Sequence, residues 1–211
     1  MTKHLAHNKL KISIAIIWIS LILVVTGIKL GYESSFVQFI PYNICLLFFL
    51  ILWHADFKKE VFYAISVPFI IGTVVEYFGV NYELIFGKYN YGETLGFKIL
   101  GVPIIIGIYW TILVFATASI SRLVSDNYLL SAISGAVLMT SLDILIEVSA
   151  PRFQLWEFQQ GYPPLQKYAV WFFVSLIIHL IFQKILKSDH FMLSFHIFTA
   201  LTIFFSVFIF L

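Results

Sequence analysis

Residues 141–158 read SLDILIEVSAPRFQLWEF and begin inside an apolar run. Asp143 and Glu147 are four residues apart, so in a helix both side chains point from one face. Acidic groups in the hydrocarbon region of a membrane are unfavourable unless they are compensated, and such a pair therefore marks a functional site. We expect the rest of the chain to build a pocket around these two carboxylates.

The composition is that of an integral membrane protein. Of 211 residues, 61% are hydrophobic and 11% are charged, and the mean hydropathy is +0.96. Soluble domains are roughly 45–50% apolar and about 25% charged. The net charge of +2 gives no indication of a nucleic-acid partner. The many aromatic residues, including 23 Phe, are either lipid-facing or indicate a flat, apolar or polyene ligand.

Seven stretches are apolar and long enough to cross a membrane. They are residues 12–30, 36–53, 61–79, 101–121, 128–148, 169–186 and 191–211. We predict an all-α membrane protein, with one domain over 1–211 that forms a single bundle of about seven transmembrane helices. The distribution of Lys and Arg favours a cytoplasmic N-terminus in a multi-pass protein of the bacterial inner membrane.

Two connections, 80–100 and 149–168, are longer than the others. Because two spans separate them, both lie on the same face of the membrane. Glu76 lies within a turn of the end of the third predicted span, and Asp143 and Glu147 lie near the end of the fifth. We therefore expect all three carboxylates near that face. The alternative is that each carboxylate reaches the interface or pairs with a basic residue of the loops, namely Arg152, Lys88 or Lys98.

Aromatic candidates for substrate contact lie in these two loops and in the spans that follow them. They are Phe86, Tyr89, Tyr91, Tyr109, Trp110, Trp156, Tyr168 and Trp171. Each can instead belong to an interfacial aromatic belt. The six histidines form no HxxxH or HExxH motif, and phosphate-binding and Rossmann glycine patterns are absent from the sequence. We therefore expect neither a metal nor an organic cofactor.

The carboxylates suit proton addition to a carbon–carbon double bond. In a buried acid pair one member can remain protonated and act as a general acid, while an ionised neighbour stabilises a carbocation or orients water. Aromatic faces stabilise cationic carbon without offering a nucleophile. The same residues also suit a proton relay in a transporter.

The motifs EYFGV, FGKYNYG and GVP fall within residues 75–110, and DILIE, FQLW and PLQKY fall within 140–172. Together they resemble the integral-membrane carotenoid biosynthesis protein family, which includes γ-carotene 1′,2′-hydratase and bisanhydrobacterioruberin hydratase. The chain resembles in particular the short versions found in Bacteroidetes-type bacteria. The chain departs from the family pattern at Tyr109 and Lys167, where many relatives carry Asn.

The resemblance implies cofactor-independent addition of water to the terminal C1=C2 bond of an acyclic carotenoid ψ-end. The substrate would be a lycopene- or γ-carotene-like carotenoid drawn from the bilayer, and other enzymes of the pathway are possible partners. We expect Asp143 to be the proton donor, with Glu147 and Glu76 positioning water or stabilising charge. The alternatives are a non-catalytic carotenoid-binding or scaffold protein and a small proton-coupled transporter.

Overall fold

A computed structural model of the chain describes residues 2–83, 85–186 and 190–210, with side chains from residue 7 onward. The described residues form eight helices and four short strands. The helices are α1 (Thr2–Lys29), α2 (Glu33–Val37), α3 (Ile40–His54), α4 (Lys59–Tyr82), α5 (Ile104–Val124), α6 (Tyr128–Ser149), α7 (Leu165–Ile185) and α8 (Phe191–Ile209). The strands are β1 (Tyr89–Tyr91), β2 (Lys98–Ile99), β3 (Val102–Pro103) and β4 (Trp156–Phe158).

Six helices of the described chain are long and apolar enough to cross a membrane. They are α1, α4, α5, α6, α7 and α8, and they correspond to six of the seven predicted spans. The prediction of an all-α membrane protein is confirmed. Residue 211, the end of the last predicted span, lies outside the described residues.

The predicted second span, 36–53, is divided between two helices. Helix α2 ends at Val37 and α3 begins at Ile40, with Pro41 in its first turn. Proline fits there because the first N–H groups of a helix have no partner within the helix. The 15 residues of α3 rise about 22 Å, less than the roughly 30 Å of the hydrocarbon core. The N-terminal orientation depends on whether this segment crosses, and it stays a prediction.

Helix α5 lies at the centre of the bundle, where it is buried along most of its length and contacts α3, α4, α6, α7 and α8. Helix α4 approaches it at two glycines. A Cβ on Gly72 would be 2.5 Å from the Trp110 ring, and one on Gly107 would be 2.5 Å from Thr73 Oγ1. Small residues allow membrane helices to pack this closely. Because Glu76 lies one turn after Gly72, the same packing turns its side chain toward α5.

The two long connections meet through antiparallel pairing of β1 with β4. Tyr89 lies opposite Phe158, and Tyr91 lies opposite Trp156. The prediction that these connections are neighbours on one face is confirmed. We call the pair Tyr89–Tyr91 and Trp156–Phe158 the lid strands.

Gly92→Ala is expected to disrupt the lid strands. The N–H of Gly92 donates to Leu155 O at 3.0 Å, and a Cβ on Gly92 would be 2.0 Å from Gln154 O. A backbone carbonyl cannot turn aside as a flexible side chain does, so the chains must separate. We expect the free energy of unfolding in detergent to fall by about 1–3 kcal/mol, measured by denaturant titration. Asn90→Ala, at an exposed position of β1, is the control, and equal stability of the two variants would contradict the prediction.

Candidate active site

Glu76 is held by donors from a lid strand and from α5. Tyr89 and Tyr91 donate their hydroxyls to Glu76 Oε2 at 2.6 and 2.7 Å. Trp110 Nε1 donates to Oε1 at 3.2 Å. The residue is only 4% exposed, and a carboxylate at such a position requires donors on its oxygens. Both oxygens of Glu76 are therefore satisfied.

The hydroxyls of Tyr89 and Tyr91 act as permanent donors. Burial, followed by the neighbouring Glu76 carboxylate, raises the pKa of each hydroxyl well above the usual tyrosine value. Both hydroxyls therefore stay protonated at physiological pH. The rings also pack across the lid strands, with Tyr89 and Phe158 centroids 5.2 Å apart and Tyr91 and Trp156 centroids 6.1 Å apart.

Lys167 pairs with both carboxylates of α6. Its Nζ, in the first turn of α7, donates to Asp143 Oδ2 and to Glu147 Oε1. Trp156 Nε1 donates to the second oxygen of Glu147, Oε2, at 3.1 Å. The ammonium also lies 4.9 Å from the ring centroid of Trp171, a favourable cation–π distance. Lys167 is 3% exposed, so the ion pairs are shielded from solvent.

One carboxyl oxygen of this cluster has no donor in the described part of the chain. Both oxygens of Glu76 and of Glu147 accept hydrogen bonds, but Asp143 Oδ1 is buried without a partner. The hydroxyl of Tyr109 is likewise buried with no partner there. Buried polar atoms of this kind are where bound water or a ligand is expected.

A cavity of about 20 Å³ joins these groups between helices α4 to α7 and the lid strands. All the predicted site residues except Tyr168 line it, together with Ile106, Phe158 and Lys167. Tyr168 lies beside the cavity, with its ring centroid 5.2 Å from Lys167 Nζ. A water molecule needs about 10–15 Å³, so the cavity is large enough for one.

A family model described as carotenoid biosynthesis protein matches residues 35–211. The chain belongs to the carotenoid biosynthesis protein family. The matched region begins in α2 and contains every residue of the cavity. No curated protein and no solved structure gave a match to the chain.

In this carotenoid biosynthesis protein the loop cations do not neutralise the cavity. They form ion pairs with other acids: Arg152 with Glu33, Lys88 with Glu83, and Lys98 with Glu93. The alternative that these cations hold the site carboxylates is therefore wrong. The cation that does so, Lys167, was not among the predicted site residues. Lys167 could have been found from its position four residues before Trp171, because this spacing puts both side chains on one face of α7.

Lys167 takes the place that a bridging cation would have between Asp143 and Glu147. Two buried carboxylates on one helix face need compensating positive charge, and here the chain supplies it. The described residues contain no group of three or more His, Cys, Asp or Glu side chains placed to hold a metal ion. The site offers a carboxyl oxygen and a hydroxyl that have no partner among the described residues, together with ring faces.

Proposed function

We propose that this carotenoid biosynthesis protein is a cofactor-independent carotenoid 1,2-hydratase acting on an acyclic ψ-end. The observation that carries the proposal is Asp143 Oδ1, which is buried in a residue that lines the cavity and has no donor among the described residues. An oxygen without a donor is the one that can carry a proton. A carbon–carbon double bond is a weak base, and its protonation requires an acid placed next to it away from water.

The proposed reaction has two steps. Asp143 Oδ1 donates its proton to C2, the π electrons form the new C–H bond, and a tertiary cation remains at C1. The oxygen of a water molecule then attacks C1, and Asp143 Oδ1 takes back one proton from that water. The product is a tertiary alcohol, and the carboxyl group is restored for the next cycle.

The other groups of the cavity stabilise the cation. We assign Glu76 and Glu147 the part of carboxylates: Glu76 accepts three hydrogen bonds, and Glu147 accepts one from Lys167 and one from Trp156. Fixed negative charge lowers the energy of a carbocation formed nearby. The rings of Trp110 and Trp171, with centroids 4.3 Å apart, add aromatic faces that attract positive charge without reacting with it.

Tyr109→Phe is expected to slow hydration about tenfold. The Tyr109 hydroxyl has no partner among the described residues and lines the cavity with Asp143, so we assign it to holding the attacking water. One such hydrogen bond contributes about 1–1.5 kcal/mol, close to a factor of ten in rate. Initial rates of product formation in isolated membranes measure the effect. Tyr168→Phe, which alters a hydroxyl outside the cavity, is the control, and equal rates for the two variants would remove Tyr109 from this role.

Production of the protein in a host that accumulates lycopene tests the function. A hydratase converts the pigment to a more polar product heavier by one water, and growth in H₂¹⁸O places the label in the new hydroxyl. Chromatography with mass spectrometry detects both. Absence of a hydrated product from lycopene and from γ-carotene would overturn the proposal.

A non-catalytic carotenoid-binding protein is the second candidate. The observation in its favour is Lys167, whose ammonium forms ion pairs with both Asp143 and Glu147 and so balances their charge without any chemistry. In the same host a binding protein retains unchanged pigment through purification, whereas a proton-coupled transporter neither retains nor converts it.

We place the protein in the bacterial inner membrane with a cytoplasmic N-terminus. Reporter fusions to the N-terminus and to the C-terminus test this orientation.

A further inference from the structure

A second cavity adjoins the candidate active site on the side of α1, α3 and α8. It has a volume of about 90 Å³ and is lined mainly by aliphatic and phenylalanine side chains. Its polar residues are Ser20 and Asn43, with Tyr109 and Trp156 at the candidate active site. Ser20 donates its hydroxyl within α1 to Ile17 O at 2.9 Å, so that hydroxyl is already satisfied. We call this cavity, which extends from Phe39 to Tyr109, the apolar groove.

The apolar groove is separated by a common wall from the 20 Å³ cavity of the candidate active site. Three residues line both the groove and this cavity, namely Ile106, Tyr109 and Trp156. Trp156 also donates to Glu147, and Tyr109 carries the unpaired hydroxyl. These three side chains stand between a chain in the groove and Asp143, so the end of that chain reaches Asp143 only when they move aside.

The other end of the groove reaches the outer surface at the break between α2 and α3. Phe39, in this break, lines the groove and is 57% exposed. Tyr42, one turn after Phe39 with ring centroids 6.1 Å apart, is exposed as well. This aromatic rim suits the entry of an apolar chain from the bilayer.

We propose that the apolar groove binds the hydrocarbon chain of the substrate and guides an unhydroxylated end to Asp143. The choice of a polyene as occupant rests on the proposed function. A groove with so few polar partners disfavours a hydroxylated end, because that end would exchange its hydrogen bonds to water for at most those that Asn43 and Tyr109 offer. The groove therefore selects an unmodified end and releases the alcohol product.

A bulky residue in the groove tests this inference. Ala200→Trp, on the groove side of α8, is expected to reduce the carotenoid that co-purifies with the protein at least tenfold, and product formation with it. Ala200→Leu is the milder variant and should give an intermediate loss if the larger one does not fold. Ile203→Trp is the matched control, since Ile203 is on the same helix but exposed and outside the groove lining. Pigment absorbance per protein, bound phospholipid and the unfolding temperature are measured for each.

The outcomes separate the two proposals. Loss of pigment from the Ala200 variants alone, with folding unchanged, supports the groove even if no variant and no wild-type protein hydrates the pigment. Hydration by the wild type with equal binding and hydration by the Ala200 variants would overturn the groove and leave the function standing. Loss of bound phospholipid without loss of pigment would assign the groove to a lipid chain and would also overturn the inference.

Discussion

Asp143→Asn is expected to lower carotenoid hydration by about 10²–10⁴-fold, the usual contribution of a general acid. Asparagine keeps the volume of the side chain but has no acidic proton to place on C2. Its carbonyl oxygen can still accept from Lys167, and Glu147 keeps its own contact with that ammonium. The site should therefore persist while the chemistry stops. The ratio of hydrated to unmodified carotenoid in a lycopene-accumulating host measures the effect.

Glu157→Gln is the matched control for this variant. Glu157 is an exposed acid of the lid strands between two residues that line the cavity, and it does not line the cavity itself. We expect its hydration rate to equal that of the wild type. Both variants should retain pigment, which separates loss of chemistry from loss of binding. Hydration by Asp143→Asn at the wild-type rate would move the proton donor to another carboxyl group, with Glu76 next to be tested.

The meeting of the three carboxylates could be predicted from the sequence because it depends on few assumptions. Glu76 precedes the 80–100 connection and the pair at 143 and 147 precedes the 149–168 connection. Only two spans, α5 and α6, lie between these points, so both connections return to one face whatever the second predicted span does. The pairing of β1 with β4 and the common cavity are the structural consequences of that parity.

The partners of each carboxylate could not be predicted in the same way. Hydropathy and parity specify a membrane face, but they do not specify which residues of a loop turn inward. Tyr89 and Tyr91 are ordinary candidates for an interfacial belt, yet their hydroxyls are buried against Glu76 because the lid strands fold back over the bundle. Alternation along β1 places both rings on one side and leaves Asn90 exposed on the other, a pattern visible only once the strand is known.

The second predicted span, 36–53, differs from the observed helices α2 and α3 for a related reason. Composition alone makes 36–53 as apolar as its neighbours, but Pro41 lies in the first turn of a new helix, and the regular helix is interrupted at Gln38 and Phe39. The pairing of Arg152 with Glu33, through two hydrogen bonds of 3.0 Å, then ties α2 to the connection after α6. Such long-range contacts decide where the short helix lies, and a local pattern does not contain them.

Lys167→Met is expected to lower the free energy of unfolding by about 3–5 kcal/mol, the usual effect of removing one partner of a buried ion pair. Methionine fills a similar space but leaves Asp143 and Glu147 facing each other with no cation from the described residues. Either the two carboxylates repel each other or one must take up a proton to fold. Denaturant unfolding in detergent measures the loss. Lys184→Met, at an exposed lysine of the same helix whose ammonium lies 5.4 Å from the Tyr128 ring centroid, should lower stability by no more than about 1 kcal/mol.

A second substitution identifies charge as the cause. In the double variant Lys167→Met/Glu147→Gln, one of the two uncompensated carboxylates is gone, so at least half of the lost stability should return. Simple loss of packing around Trp171 would not be repaired by this change, because glutamine has nearly the size of glutamate and puts no ammonium back over that ring. Equal stability of Lys167→Met and Lys184→Met would mean that the ion pairs contribute nothing to folding. The opposite result makes Lys167 the residue that allows two acids to remain side by side in a membrane helix.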